Sequence, residues 1–184
     1  LASPATLVDI NHIPGLAYIT RSNGHVAIGA LTRHADVAAS DVLRDANKTV
    51  AAAAPWVADP LVRNRGTLCG SVAHCDPEGD WNSVLLAVGG SVVARSATGE
   101  RVIPASEFVV DFFANSLRPG EMVTEVRVPV GSGSSGGAYL KLERKIGDYA
   151  TVGVATQLAL DGAGKVAEAG LALLKRVAGR NQVA

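Results

Sequence analysis

The chain has 184 residues, 48% of them hydrophobic and 18% charged, with 17 Lys+Arg balanced by 17 Asp+Glu. That apolar content excludes a disordered chain, and a net charge of zero argues against nucleic acid, whose phosphates need a basic excess. No apolar run approaches the roughly 20 residues that cross a bilayer, so no membrane span is expected. Two cysteines, Cys69 and Cys75, are too few for a secreted disulfide framework and point to a reducing, cytoplasmic setting. The length fits one domain, or one and part of another. The chain opens at Leu1 with no signal-peptide pattern, and upstream material is expected to be missing.

In chain order, Thr6–Ile10 is short, apolar and β-branched, which predicts a strand closed by Pro14-Gly15. Asn23-Gly24 between Leu16–Ile19 and Val26–Ala30 predicts a hairpin. Thr32 is positioned to cap a short helix ending at Ala39, and Ser40 or Asp41 a second one. Val42, Leu43, Ala46 and Val50 form that second helix's apolar stripe, which ends near Pro55. Residues 59–80 are rich in Gly, Asn, Asp and Pro and show no helical or strand period. Asp80 is then expected to cap a helix carrying Val84, Leu85, Leu86 and Val88, stopped by Gly89-Gly90.

Ser91–Arg95 and Glu100–Ile103 predict two strands, and Met122–Val128 a third, ending at Pro129, with Met122, Thr124, Val126 and Val128 on one face. Residues 131–137 contain only Gly and Ser and predict a linker, so the expected domains are 1–130 and 138–184. Gly131, Gly133 and Gly136 fit the dinucleotide spacing G-x-G-x-x-G. That fingerprint requires a following helix, and Tyr139–Leu142 alternates like a strand. Strands are expected at 138–142, 152–160 and 166–174, with a turn at Asp161-Gly162.

Arg63–Ser71 carries more chemistry. Glycines admit close backbone approach, successive amides form anion-binding concavities, Thr67 and Ser71 add hydroxyls, and two arginines add positive potential. Composition leaves two readings open, a pyrophosphate cradle or an ordinary loop held by arginine salt bridges. Cys69, His74, Cys75 and Asp76 are metal-ligand types, but their spacing matches no tetrahedral zinc pattern. His12, His25 and His34 fall on predicted surface turns or helices. Trp56, Phe112 and Phe113 sit beside apolar residues and are expected in the core. Tyr149, in a charged turn before a strand, is either a packing residue or a stacking platform for a planar ligand.

Taken together, the segments resemble the FAD-binding medium subunit of the molybdenum hydroxylases, the family of carbon monoxide dehydrogenase and xanthine dehydrogenase. The family shows an Arg-Asn-Arg-Gly-Thr-Ile-Gly-Gly-Asn run, then Ala-His-Ala-Asp-Pro and a following Asp. Here Arg63–Ser71 is followed by Ala73-His74-Cys75-Asp76-Pro77 and Asp80, and Lys141–Ala150 matches the Lys-Leu-Glu-Arg-Lys-x-Gly-Asp-Tyr-Ala stretch of bacterial members.

The resemblance implies an α+β fold: an FAD-binding domain of the PCMH/vanillyl alcohol oxidase type, lacking its N-terminal part, then a partial C-terminal α+β domain that stops early around residues 175–180. It implies that Thr67, Leu68, Cys69, Gly70 and Ser71 hold the FAD pyrophosphate. Asp80 contacts the hydroxyl-bearing chain, and Tyr149 lies against the isoalloxazine ring. It further implies an iron–sulfur small subunit and a molybdenum-binding large subunit in a heterotrimer that dimerises, with electrons passing through FAD to an external acceptor. Cys69 stands where the family has glycine and Ser71 where it has Asn, and the family's first phosphate loop is absent. These departures support an alternative, a non-catalytic interaction module that keeps the fold without FAD.

Overall fold

The computed structural model describes residues 4–175. Its first regular element is the hairpin of β1 (Ile19–Ser22) and β2 (His25–Gly29), joined by Asn23 and Gly24 at φ 31° and 83°. Two consecutive positive φ angles match the right-handed twist of the flanking strands. Thr6–Ile10, the expected strand before it, is irregular. Leu7 and Val8 are exposed and no strand lies beside them, while Asp9 Oδ1 turns the chain by accepting the Asn11 amide at 2.9 Å.

Three short helices follow, α1 (His34–Ala39), α2 (Asp41–Ala46) and α3 (Lys48–Ala53). Ser40 Oγ accepts the Leu43 amide at 3.2 Å, as the sequence predicts. Asn47 interrupts the expected continuous stripe: its side chain accepts the Val50 amide and starts α3. Thr32 does not cap α1. Its hydroxyl donates to the Tyr18 carbonyl at 2.9 Å and accepts the Tyr18 amide at 3.1 Å, which ties the hairpin to the helices.

Segment 59–80, expected to be irregular, contains α4 (Pro60–Arg63) and α5 (Leu68–His74). Each is capped by a side chain of the residue before it: Asp59 accepts the Val62 amide and Thr67 the Gly70 amide. Helices of four and seven residues are too short to show a hydrophobic period. Next comes α6 (Asp80–Ala87), whose N-cap is Gly79, with Asp80 as its first helical residue.

Strands β3 (Ser91–Ser96), β4 (Gly99–Pro104) and β7 (Met122–Pro129) complete an antiparallel sheet ordered β1-β2-β7-β3-β4; between β4 and β7 lie α7 (Ala105–Phe108), β5 (Val109–Asp111) and β6 (Ala114–Asn115). In β7 the inward residues are Val123, Val126 and Val128, and Met122 is exposed. The reason is a bulge: Val93 pairs with Glu125 and Ala94 with Val123, so Thr124 is the extra residue and the alternation shifts by one.

A second antiparallel sheet, β8 (Ser135–Glu143), β9 (Ala150–Leu160) and β10 (Val166–Lys175), packs with β8 on α3 and with β9 and β10 on α6. Residues 135–137, expected in the linker, are therefore strand. A Cβ at Gly137 would collide with Thr49 Oγ1 and the Thr156 carbonyl, and one at Gly170 with the Ala87 carbonyl. Glycine there serves close sheet–helix approach, and composition alone does not separate that role from a flexible linker. Segment 176–184, where the C-terminal domain is expected to stop, lies outside the described residues.

The helices thus lie between two sheets, and one apolar cluster runs from Val26, Ile28 and Val126 through Leu68, Trp81 and Leu85 to Tyr139 and Ala155. Each fully buried Val, Leu or Phe in it contributes about 1.5–3 kcal/mol. Trp56, Phe112 and Phe113, expected inside, are 40%, 41% and 60% exposed. His34, expected on the surface, is buried: its Nδ1 accepts the Trp81 indole N–H at 3.0 Å.

Candidate functional site

Many polar groups of the Arg63–Ser71 segment are engaged in local structure. The Arg63 guanidinium donates to the carbonyls of Pro55, Val57 and Ala58 at 3.3, 3.0 and 2.6 Å, so carbonyls rather than carboxylates hold it. Arg33 donates to the Arg65 carbonyl, and His34 N–H donates to the Gly66 carbonyl at 3.0 Å. Arg65 itself is exposed.

At the start of α5 three of the five amides expected to cradle a pyrophosphate already have acceptors. Leu68 N–H donates to the Thr32 carbonyl at 3.2 Å, Gly70 N–H to Thr67 Oγ1 at 3.1 Å, and Ser71 N–H to the Thr67 carbonyl at 3.1 Å. Among the described residues the amides of Thr67 and Cys69 have no protein acceptor. Gly70 is exposed there, and a Cβ on it would come within 2.7 Å of Thr67 Oγ1. Main-chain donors without a protein acceptor, beside a glycine on the first turn of a helix, are of the type that suits a diphosphate.

Leu68 and Cys69 direct their side chains inward. Cys69 lies in regular helix, its thiol 3.5 Å from the Ile28 carbonyl, so its Cβ neither needs positive φ nor occupies the exposed face. Burial pushes that thiol up to about 12. Cys75 closes α5 in the left-handed conformation at φ 51°, its buried thiol 3.3 Å from the Val72 carbonyl. His74 Nε2 lies 3.9 Å from Asp76 Oδ2. Among the described residues no group of three or more His, Cys, Asp or Glu side chains is arranged to hold a metal.

Asp80, at the other end of the site, is buried. Its Oδ1 accepts the Tyr139 hydroxyl, and the Lys141 ammonium lies 3.1 Å from Oδ1 and 3.3 Å from Oδ2. Burial raises the carboxyl above its ordinary value, while Tyr139 and Lys141 oppose the shift. The Asp80 backbone N–H is a further donor to this carboxylate, so a buried acid is held by partners from its own helix and from β8.

Tyr149 ends the turn between β8 and β9 and is 57% exposed. Its phenol is raised by partial burial and then by the negative charges of Asp76, Glu78 and Asp80. With Glu78, Arg144, Asp148 and Thr151 it lines a recess of about 180 Å³. The helix α5 packs on α6, whose first residue is Asp80.

Tyr139, Lys141 and Glu143 are the site residues that sequence reasoning missed. Their signal was the strand alternation itself: positions 139, 141 and 143 share the face of β8 that meets the helices, so a lysine and a glutamate there are buried ions.

Residues 1–131 match the family described as the FAD binding domain in molybdopterin dehydrogenase. The chain belongs to that family. Relatives include the 6-hydroxypseudooxynicotine dehydrogenase complex subunit alpha of Paenarthrobacter nicotinovorans, 44% identical over 95% of this chain and 59% of that protein. The carbon monoxide dehydrogenase medium chain of Hydrogenophaga pseudoflava is 38% identical over 88% of this chain and 56% of its own. A solved carbon monoxide dehydrogenase of Hydrogenophaga pseudoflava, lacking the Mo-pyranopterin moiety of its molybdenum cofactor, superposes with a TM-score of 0.89 at 38% identity over 94% of this chain and 60% of that one.

The chain thus spans less than two thirds of the length of these relatives. Its fold is the α+β FAD-binding fold of the carbon monoxide dehydrogenase medium subunits, and the cofactor of the family is FAD. No helix among the described residues is long and apolar enough to cross a membrane.

Proposed function

We propose that the chain is the FAD-carrying, electron-transfer part of a molybdenum hydroxylase-type dehydrogenase. The observation that carries this reading is the start of α5, where among the described residues the Thr67 and Cys69 amides have no protein acceptor beside exposed Gly70. Bound FAD supplies reversible electron storage; the protein supplies binding, orientation and tuning. The Thr67, Leu68, Cys69, Gly70 and Ser71 backbone forms the diphosphate side, with the Thr67 and Ser71 hydroxyls as further donors. Asp80 contacts the hydroxyl-bearing chain of the cofactor, and the Tyr149 ring packs on the isoalloxazine.

The recess at Tyr149, about 180 Å³, is smaller than the roughly 300–1,000 Å³ of small-molecule pockets, so it forms one wall of a larger groove. In this reading residues 1–130 are the FAD-binding domain and 138–184 begin the C-terminal one. Electrons arrive from an iron–sulfur subunit and leave for an external acceptor, and substrate is oxidised at molybdenum in a large subunit. The three subunits form a heterotrimer that dimerises in the cytoplasm, where the unpaired buried thiols of Cys69 and Cys75 stay reduced. The alternative, a module that no longer binds FAD, draws no support from Cys69, whose side chain points away from the open face.

The test is titration of the purified chain with FAD. The account expects a bound-flavin absorbance band and a melting temperature that rises with FAD, worth about 2.7 kcal/mol at a hundred times Kd. A chain that melts at the same temperature with and without saturating FAD contradicts it.

A further inference from the structure

The Lys141 ammonium joins three separate elements. Its side chain is 1% exposed, and Nζ lies 3.0 Å from the Trp56 carbonyl, 3.1 Å from Asp80 Oδ1 on α6, and 3.5 Å from Glu143 Oε2 on its own strand. An ammonium this far from water persists only with such partners. Glu143 passes the connection on, since its Oε1 accepts the Gly147 amide at 3.3 Å. Gly147, at φ 85°, lies so close to Asp59 that a Cβ would come within 3.0 Å of the Asp59 Cβ. Tyr149 follows two residues later. A continuous set of polar contacts therefore runs from the helical layer that carries α5 and α6 to the turn that carries the aromatic ring.

We propose that Lys141 is a positioning residue that fixes the Tyr149 turn against the helical layer, and so sets the span between the diphosphate side and the ring side of the FAD groove. The proposal rests on the FAD reading above. An apolar side chain would fill the same space, but it would not fix the direction of β8 relative to Trp56 and Asp80. Directional partners on three elements do fix it, which is the use of buried ions that goes beyond stability. Tyr139 supports the arrangement by donating to the same carboxylate.

The experiment compares Lys141→Met with the unmodified chain in two measurements. Binding of FAD and of ADP, which carries the diphosphate without the ring, is measured by calorimetry. Lys141→Met is expected to weaken FAD by about tenfold or more, within the range of ordinary site-to-site coupling, and to leave ADP within about twofold. Equal weakening of both, or of neither, overturns the proposal, because a merely structural role would not separate the two ligands.

Hydrogen exchange of the ligand-free chain is the second measurement. Amides of residues 144–149 are expected to exchange about tenfold faster in the variant, with those of β2 and β7 unchanged. Uniform acceleration, or none, contradicts the positioning role. If the unmodified chain binds neither ligand, the FAD reading fails while the exchange result still decides the role of Lys141. Should Lys141→Met not fold, Glu143→Ala cuts the link to Gly147 together with the 3.5 Å contact to Lys141, leaving Lys141 on Trp56 and Asp80, and the same separation of FAD from ADP is expected at smaller size; its absence overturns the proposal.

Discussion

The two parts of the candidate site are built by different physics. At residues 63–71 several side chains are spent on holding the backbone, with Arg63 on three carbonyls, Thr67 on the Gly70 amide, and Leu68 and Cys69 in the core, while Asn64, Arg65 and Gly70 are exposed. At residues 139–149 the backbone is an ordinary hairpin, and the construction lies in side chains, with a buried Lys141 among Asp80, Glu143 and the Trp56 carbonyl. A main-chain site tolerates side-chain change wherever the side chain points inward. A site built on buried ions depends on each member, because removing one leaves another without its partner.

The largest expected effect tests the packing beneath the first part. Trp81 is fully buried and donates to His34, which lies under Gly66. Trp81→Ala should cost about 3–5 kcal/mol in urea unfolding. A loss under about 1 kcal/mol would show that this part does not depend on its core.

Acid sharpens the same point. Burial, and then the charge of Arg63, lowers His34 to about 4 from 6.5, so the fold favours the neutral ring. A histidine depressed in the fold contributes stability that is fully present above pH 6.5 and is lost as pH falls toward 4. The melting temperature should fall across that window, and His34→Gln, which keeps an acceptor for Trp81, should flatten the fall. An unchanged slope would remove His34 from the account.

Next comes Cys69→Gly, which restores the glycine of the family's run. It should cost about 1–2 kcal/mol, from a lost buried side chain and a glycine in a helix, and leave FAD affinity within about twofold. Tighter FAD binding would show that the Cys69 Cβ reaches the ligand face after all. The smallest expected effect is Tyr149→Ala. With the ring 57% exposed, stability should hold, while FAD affinity drops about two- to tenfold and bound-flavin fluorescence rises.

The same contrast explains what was legible in the sequence. The Asn23-Gly24 hairpin, the Ser40 cap and most strands could be read because they depend on local chemistry, and Arg63–Ser71 stood out because a main-chain site leaves its mark as glycines and hydroxyls. The short helices at 60–63 and 68–74 could not be read, since too few residues show a period. Gly137 looked like linker because close approach and flexibility select the same residue. Trp56 and His34 exchanged their expected places because partners distant in sequence decide burial: His34 meets Trp81, 47 positions away. Lys141 belongs to the same class, as its meaning depends on a carbonyl at 56 and a carboxylate at 80.

The most direct measurement of the central claim is calorimetric FAD binding to Gly70→Val, with circular dichroism as the check on folding. Gly70 is exposed on α5, and a Cβ there would come within 2.7 Å of Thr67 Oγ1, so a branched side chain crowds the start of the helix where the diphosphate is proposed to sit. The account predicts an intact helical spectrum with FAD affinity reduced about a hundredfold or more, roughly 2.7 kcal/mol. A folded Gly70→Val chain that binds FAD as tightly as the unmodified one would contradict it.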